Sequence, residues 1–255
     1  MVDSKMNEYY NIDTDFHSHI LPCIDDGSPD IRVTEDMLRM EAGQGIRTVI
    51  ATPHFYASRM SVKSFAERRK HAYEKTLDLI RKNQDLPQVI PAAEVFFFPG
   101  IGRADLRSLC AAGSRVLFLE MPFRQWTEED LLEVRQLSVT AGYHVVLVHL
   151  ERFLPYQRKK EAMEDVLKLP VTIQFNAGCL ARFSGRRSVR KILDTGLPVV
   201  MGSDCHNTGR RRPDMEDGIR ILGGKFGLDA AGRIARSGCE LLDRILEDGA
   251  KGGMA

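Results

Sequence analysis

Asp13-Thr14-Asp15-Phe16-His17-Ser18-His19-Ile20-Leu21-Pro22-Cys23-Ile24-Asp25-Asp26-Gly27 is the stretch from which the rest of the chain is read. On a β-strand, residues two apart share a face. His17 and His19 therefore aim two imidazoles at one point, with Asp15 in phase. Asp25 and Asp26 follow in a loop bent by Pro22 and Gly27. Neutral imidazole is the commonest protein metal ligand, and carboxylates complete such sites. Taken alone, the stretch fits two ordinary half-buried histidines equally well, so the other strands decide.

Outward from it, apolar runs and helical spacings alternate. Strands are expected over 13–17, 47–52, 88–95, 115–121, 144–149, 171–175 and 198–202. Helices are expected over 29–42 (capped by Ser28), 62–82, 103–112, 127–141, 159–168, 188–195, 215–225, 230–237 and 240–247. The Arg68-Arg69-Lys70 run reads as a solvated helix face. Seven strand–helix alternations with short connections argue for an α/β fold: a parallel sheet with helices outside. Closure into a barrel is the economical form and an open doubly wound sheet the competitor. No linker divides the chain, so residues 1–255 read as a single domain with flexible tails at 1–11 and 249–255. Gly27 lacks the neighbouring glycines of a dinucleotide fingerprint.

The 255 residues are 43% hydrophobic, enough for a sizeable core, and the net charge of +1 argues against nucleic-acid binding by the chain as a whole. Five cysteines without paired spacing fit a reducing cytoplasm better than a disulfide framework. No apolar run reaches membrane-spanning length, and residues 1–11 lack a signal-peptide core. The reading is a cytoplasmic protein that does not insert into a membrane.

Chemistry-bearing residues recur at the C-terminal ends of the expected strands: His17 and His19, His54, Glu94, Glu120, His149, Asp204 and His206. Barrel active sites are built at that rim. Of the remaining histidines, His71 lies mid-helix and His144 opens a strand at the opposite rim. Unpaired acids in apolar strands would cost several kcal/mol, so Glu94 and Glu120 need cationic partners. Mixed nitrogen and oxygen donors without thiolate favour manganese, iron or zinc. Eight ligands are too many for one ion, so two or three are implied, an arrangement suited to in-line displacement at phosphorus.

His17-Ser-His19, Ala51-Thr-Pro-His54, Glu94, Leu119-Glu120, His149-Leu-Glu-Arg152 and Ser203-Asp204-Cys-His206-Asn207 resemble the motifs of the polymerase and histidinol phosphatase (PHP) superfamily. Leu21-Pro-Cys-Ile-Asp-Asp-Gly27, Gln174-Phe-Asn-Ala-Gly178 and the run from His206 to Pro213 are similar to its bacterial manganese-dependent protein-tyrosine phosphatases of the capsule and exopolysaccharide type. The likeness runs in order from about residue 13 to about residue 215. It implies a distorted seven-stranded TIM-like (β/α)7 barrel with three metals. By that analogy His17, His19, Glu94 and Asp204 hold one ion. Glu94, Glu120 and His149 hold a second, and Asp26, His54 and His206 a third. Asp25 in place of Asp26 stays open. The chain departs from the family pattern in three places. Cys23 stands where glycine is usual and Cys179 where serine is common. Arg211-Arg212-Pro213 replaces Arg-Pro-Pro, which leaves Arg211 or Arg212 as the phosphate arginine, with Arg211 favoured.

The resulting expectation is attack on phosphorus by a metal-bridging hydroxide. Arg152 and Arg211 hold the non-bridging oxygens, since guanidinium suits a phosphate dianion. Asp26, Asp25 or a metal-bound water protonates the leaving phenolate. The implied substrate is the phosphotyrosine-bearing tail of a membrane-bound tyrosine kinase, with Mn2+ as cofactor (Fe or Zn as alternatives) and self-association left open. Competing readings are a small-molecule phosphatase of the histidinol-phosphatase type, a PHP nuclease and a non-catalytic module. Cys205 and Arg211 also match the Cys-x5-Arg spacing of cysteine-dependent phosphatases, outside that motif's usual strand–loop–helix context. Phe96, Phe97, Phe98, Phe123 and Trp126 are candidates for a phenyl slot. Arg158-Lys159-Lys160 and Arg186-Arg187 are candidates for meeting an acidic tail.

Overall fold

The computed structural model describes residues 11–158 and 160–252. Lys159, the Lys160 side chain and residues 1–10 and 253–255 lie outside that description. So does most of the expected N-terminal tail, together with part of the first basic cluster. Strands are β1 (Thr14–Ser18), β2 (Thr48–Ala51), β3 (His54–Phe55), β4 (Gln88–Pro91), β5 (Glu94–Phe96), β6 (Val116–Glu120), β7 (His144–Leu147), β8 (Val171–Asn176) and β9 (Val199–Gly202). Every pairing between them is parallel, in two sheets ordered β1-β2-β4 and β3-β5-β6-β7-β8-β9.

The two sheets are continuous through hydrogen bonds. Pro53 and Pro91 have no N–H to give a ladder, and each interrupts a strand. The expected strands 47–52 and 88–95 therefore appear as β2/β3 and β4/β5. Across the breaks Ala92 N–H donates to Ala51 O (2.8 Å) and Glu94 N–H to Pro53 O (3.0 Å). At the other edge, Asp204 N–H donates to His17 O (2.7 Å) and His19 N–H to Cys205 O (2.9 Å), joining β1 to the end of β9. Counting each interrupted pair as one strand, the nine segments make a ring of seven, as the resemblance implied. The ring departs from an ideal barrel at those two breaks and at a register shift between Asp15 and Ser18.

Helices are α1 (Ile31–Gly43), α2 (Val62–Lys82), α3 (Glu128–Arg135), α4 (Lys160–Val166), α5 (Phe183–Leu193), α6 (Met215–Phe226) and α7 (Leu228–Gly252). They form an outer layer over a core that includes Met37, Leu119, Ile173 and Leu222. A second buried cluster joins Phe16, Ile50, Ile90, Phe118, Val146 and Val200 to Leu241 and Ile245 of α7. Residues two apart on a strand share a face. Ile50–Thr52–His54, Ile90–Ala92–Glu94 and Val116–Phe118–Glu120 thus carry this inner face up to the ligand-type residues at the C-terminal rim.

Four local expectations are corrected. Asp30, not Ser28, caps α1, accepting from Arg32 N–H and Val33 N–H. Residues 103–112 form 3-10 turns instead of an α-helix, broken where Ala112 turns left-handed (φ 48°). Arg69 is no solvated charge. It donates to Ala92 O (2.8 Å), the carbonyl at the β4/β5 break, and to Ser108 O (2.6 Å). The last two expected helices and part of the 249–255 tail are one helix, α7, which runs through Gly252. Two of its glycines are close-approach sites. A Cβ on Gly238 would lie 3.2 Å from the Phe16 ring, and one on Gly249 would lie 2.6 Å from Ala112 O.

Candidate metal centre

Each strand end delivers its side chain for a local reason. At the register shift in β1, His17 and His19 are both fully buried, and their Nε2 atoms lie 3.2 Å apart. Asp15, in phase with them by sequence, faces the seam instead. Its Oδ1 accepts from His17 N–H (3.0 Å) and Ser203 N–H (2.9 Å), which fixes β1 against β9. His149 and Asp204 follow β7 and β9 with left-handed backbones (φ 34° and 55°). That conformation costs a non-glycine residue on the order of 1–2 kcal/mol, and such strain concentrates at functional sites. Side chains of β8 support both: Gln174 Oε1 accepts from His149 N–H (2.7 Å) and Asn176 Nδ2 donates to Asp204 Oδ2 (2.9 Å).

Glu94 sits at the middle. Its Oε2 lies 3.4 Å from His17 Nε2, 3.3 Å from His19 Nε2 and 2.8 Å from His54 Nδ1. Its Oε1 accepts from His149 Nε2 (2.6 Å), and Glu120 Oε1 lies 3.5 Å from that nitrogen. Asp204 Oδ1 lies 3.7 Å from His17 Nε2 and 3.4 Å from His19 Nε2. Asp26 Oδ1 lies 3.5 Å from His54 Nε2 and 3.6 Å from His206 Nε2. Five sets have donor atoms all within 4.8 Å of one another: His17/His19/Asp204, His17/Glu94/His149, His54/Glu94/Glu120 and His19/Asp26/His54/His206 at the centre, and Asp15/Glu41/Cys205 behind the β1–β9 seam. All nine residues singled out as ligands from the sequence meet here, and Glu94 is shared between two sets. His71 is exposed, and His144 donates to or accepts from Thr172 Oγ1 at the far rim (2.8 Å).

The donor set suits divalent ions. Glu94 Oε2 and His206 Nε2 are buried without a hydrogen-bond partner. Burial disfavours the Glu94 carboxylate, but His17 and hydrogen bonds from His149 and His19 carry its pKa well below the ordinary range. Burial, then the neighbouring Glu94 charge, pushes Glu120 up to about 8. Burial and the His19 charge pull His206 down to about 3, leaving it neutral and able to coordinate. Four acids crowded into one space are balanced by bound cations.

The two adjacent aspartates separate. Asp25 is committed: its Oδ2 accepts from His19 Nδ1–H (2.7 Å) and His54 N–H (3.0 Å), and its Oδ1 accepts from Gly27 N–H (2.9 Å). It holds the His19 ring with Nε2 facing the centre. The Asp26 side chain is 65% exposed and carries none of these bonds, so its oxygens remain available. The arginines separate too. Arg152 donates to Asp204 Oδ2, and Arg211 Nη2 donates to Asp204 Oδ1 (3.0 Å). Arg212 makes no hydrogen bond or ion pair among the described residues. Cys205 is fully buried beside Glu41, and burial holds its thiol well above the usual range, so it offers no thiolate.

Phe97 and Trp126 belong to the core. Phe96 and Phe123 do border the centre: Phe123 stacks 6.3 Å from His149, and Phe96 lies 5.5 Å from Tyr56, whose ring is 5.5 Å from His54. The sequence reading missed Tyr56 and Tyr156, the latter edge-on to Phe123 at 6.1 Å. Position two after His54 was a usable signal for Tyr56; nothing marked Tyr156.

Comparison with known proteins follows the same geometry. The family model described as capsular polysaccharide synthesis, CpsB/CapC, matches residues 13–242. Tyrosine-protein phosphatase YwqE of Bacillus subtilis strain 168 is 28% identical over 222 residues, 84% of this chain and 85% of YwqE. Tyrosine-protein phosphatase CpsB of Streptococcus pneumoniae is 23% identical over 237 residues, 85% of this chain and 92% of CpsB. A crystal structure from work on YwqE and CpsB, described there as unique metal-dependent tyrosine phosphatases, matches with a TM-score of 0.71. It is 24% identical and covers 88% of this chain and 94% of its own, a likeness of fold.

Proposed function

Because the chain belongs to the CpsB/CapC capsular polysaccharide synthesis family, we propose that it is a metal-dependent protein-tyrosine phosphatase. Its substrate is the phosphotyrosine-bearing tail of a membrane-bound tyrosine kinase that controls capsule or exopolysaccharide synthesis, met in the cytoplasm. The observation that carries the reading is the convergence of five histidines and four carboxylates, from strand ends all round the ring, on one few-ångström space. No helix among the described residues is long and apolar enough to cross a membrane.

His17, His19, Asp26, His54, Glu94, Glu120, His149, Asp204 and His206 would hold two or three ions, Mn2+ first, with Fe or Zn as alternatives. Such ions supply an activated water and neutralise charge at phosphorus. The remaining work falls to side chains. Arg152 and Arg211, now both on Asp204, turn to the phosphoryl oxygens when that carboxylate is shared with an ion. Asp26, the exposed acid of the set, would relay a proton from water to the phenolate. That role is modest, since a leaving group of pKa about 10 departs readily. Phe123, Tyr56 and Phe96 flank the phenyl ring.

The test measures turnover of a phosphotyrosine peptide, histidinol phosphate and single-stranded DNA side by side with manganese. The peptide should win by at least about 100-fold, and His54→Ala and His149→Ala should each lose roughly 10³-fold or more with circular dichroism unchanged. Faster turnover of histidinol phosphate, or an active His149→Ala, would sink the reading.

A further inference from the structure

Beside the metal centre lies a cleft of about 430 Å³ that shares Arg152, Asp204 and Arg211 with it and extends beyond them. Arg152 and Arg211 form its wall toward the centre, and Arg182, Arg210 and Arg212 line the remainder. The first two are engaged by Asp204. The side chains of the other three are exposed and make no hydrogen bond or ion pair among the described residues. Three acids share the lining: Glu151, Asp204 and Asp214. Asp204 is paired with Arg152 and Arg211, and Glu151 is only 8% exposed. Asp214 lines the cleft, but burial and then the Asp15 charge raise it to about 7, so its carboxylate is a weak counter-charge near neutrality.

One further feature points inward. Helix α5 starts in this cleft with Arg182 at its N-cap, no side-chain cap and no acid in its first turn. Ser184 and Gly185, in that first turn, line the cleft, so uncapped N–H groups and the positive end of the helix dipole face it. Gly185 keeps the helix start pressed on the preceding turn, since a Cβ there would lie 2.0 Å from Cys179 O. A surface that only had to stay soluble would mix both signs and cap its helix.

We propose that this cleft is a second anion subsite, which takes a phosphate or carboxylate carried by the same peptide a few residues from the phosphotyrosine under attack. The inference rests on the phosphatase reading and narrows it to peptides bearing more than one negative group. Guanidinium groups and helix N-termini are the usual partners of such anions. Arg152 and Arg211 border both sites, so the two anions bind a shared wall.

The experiment compares four substrates on the manganese-loaded full chain. They are p-nitrophenyl phosphate, a phosphotyrosine peptide with neutral flanks, the same peptide with two flanking aspartates, and one with a second phosphotyrosine. The wild type should favour both anionic peptides over the neutral one by about 10-fold or more in kcat/KM, mainly through KM. The two arms say whether carboxylate suffices or phosphate is required. Arg182→Ala/Arg210→Ala should bring that ratio close to one while leaving p-nitrophenyl phosphate turnover unchanged. Arg210→Ala alone should give an intermediate ratio with smaller risk to folding. Equal kcat/KM for neutral and anionic peptides in the wild type would overturn the subsite and leave the phosphatase intact. Turnover of p-nitrophenyl phosphate with none of the peptides would overturn both. Stronger competition by a single-stranded oligonucleotide than by the doubly phosphorylated peptide would overturn the occupant named here.

Discussion

Single residues divide here into those whose spacing reveals them and those whose surroundings do. His17 and His19 were legible because strand periodicity sets their direction, and Glu94 and Glu120 because acids ending apolar strands need a cation. Asp25 and Asp26 were not separable, since neighbours on a loop have no periodicity. Only the bonds from His19, His54 and Gly27 mark Asp25 as the anchor. Asp25→Asn keeps the shape and loses the charge that orients His19. Metal affinity should fall roughly 10–100-fold with the fold intact, read by titrating the apo-protein with Mn2+. Cys23 is a related case. Glycine is usual at its place in the resembling family, and its backbone is left-handed (φ 60°), which glycine tolerates best.

At the scale of elements, type was legible and continuity was not. Pro53 and Pro91 each split a strand, and the carbonyl at the second break is met by Arg69, a residue whose charge run reads as surface. In α7, Gly238 and Gly249 read as breakers because single-sequence signals do not register close packing. Gly202 in β9 shows what such packing does for the centre. A Cβ there would lie 2.6 Å from His17 Cβ and 2.7 Å from His17 N. Gly202→Ala should destabilise the protein by about 1–3 kcal/mol by overpacking. It should also weaken metal binding by displacing His17, so thermal melting and metal titration should both move. A change in melting alone would detach β9 from the centre.

Across the whole molecule, the centre binds strand ends from all sides of the ring, so ion binding and folding are linked. Chelation should abolish activity and lower Tm by roughly 5–15 °C, from about 4 kcal/mol of binding free energy at saturating ion. Differential scanning calorimetry with and without chelator checks this. The opposite rim supplies a pH effect independent of the ions. Burial, then the nearby Arg244, pulls His144 from the ordinary 6.5 down to about 4, against a smaller pull from Asp248. The unfolded chain therefore binds the extra proton between those values, and stability falls as pH drops from 6.5 to 4. His144→Gln should flatten that part of a Tm–pH profile measured on apo-protein. The ring was legible as alternation and its closure as the economical form; the partners at the seam were not, because they are backbone groups that carry no sequence signal.

That seam has a consequence for synthesis on the ribosome. β1 emerges long before its neighbour β9, which begins only at Val199. A nascent chain stopped before that point carries His17 and His19 on an open edge, with no Asp204 to face them. Assembly of the centre must therefore wait until β9 has emerged, and holding the early edge apart from other chains during that wait is work for a chaperone.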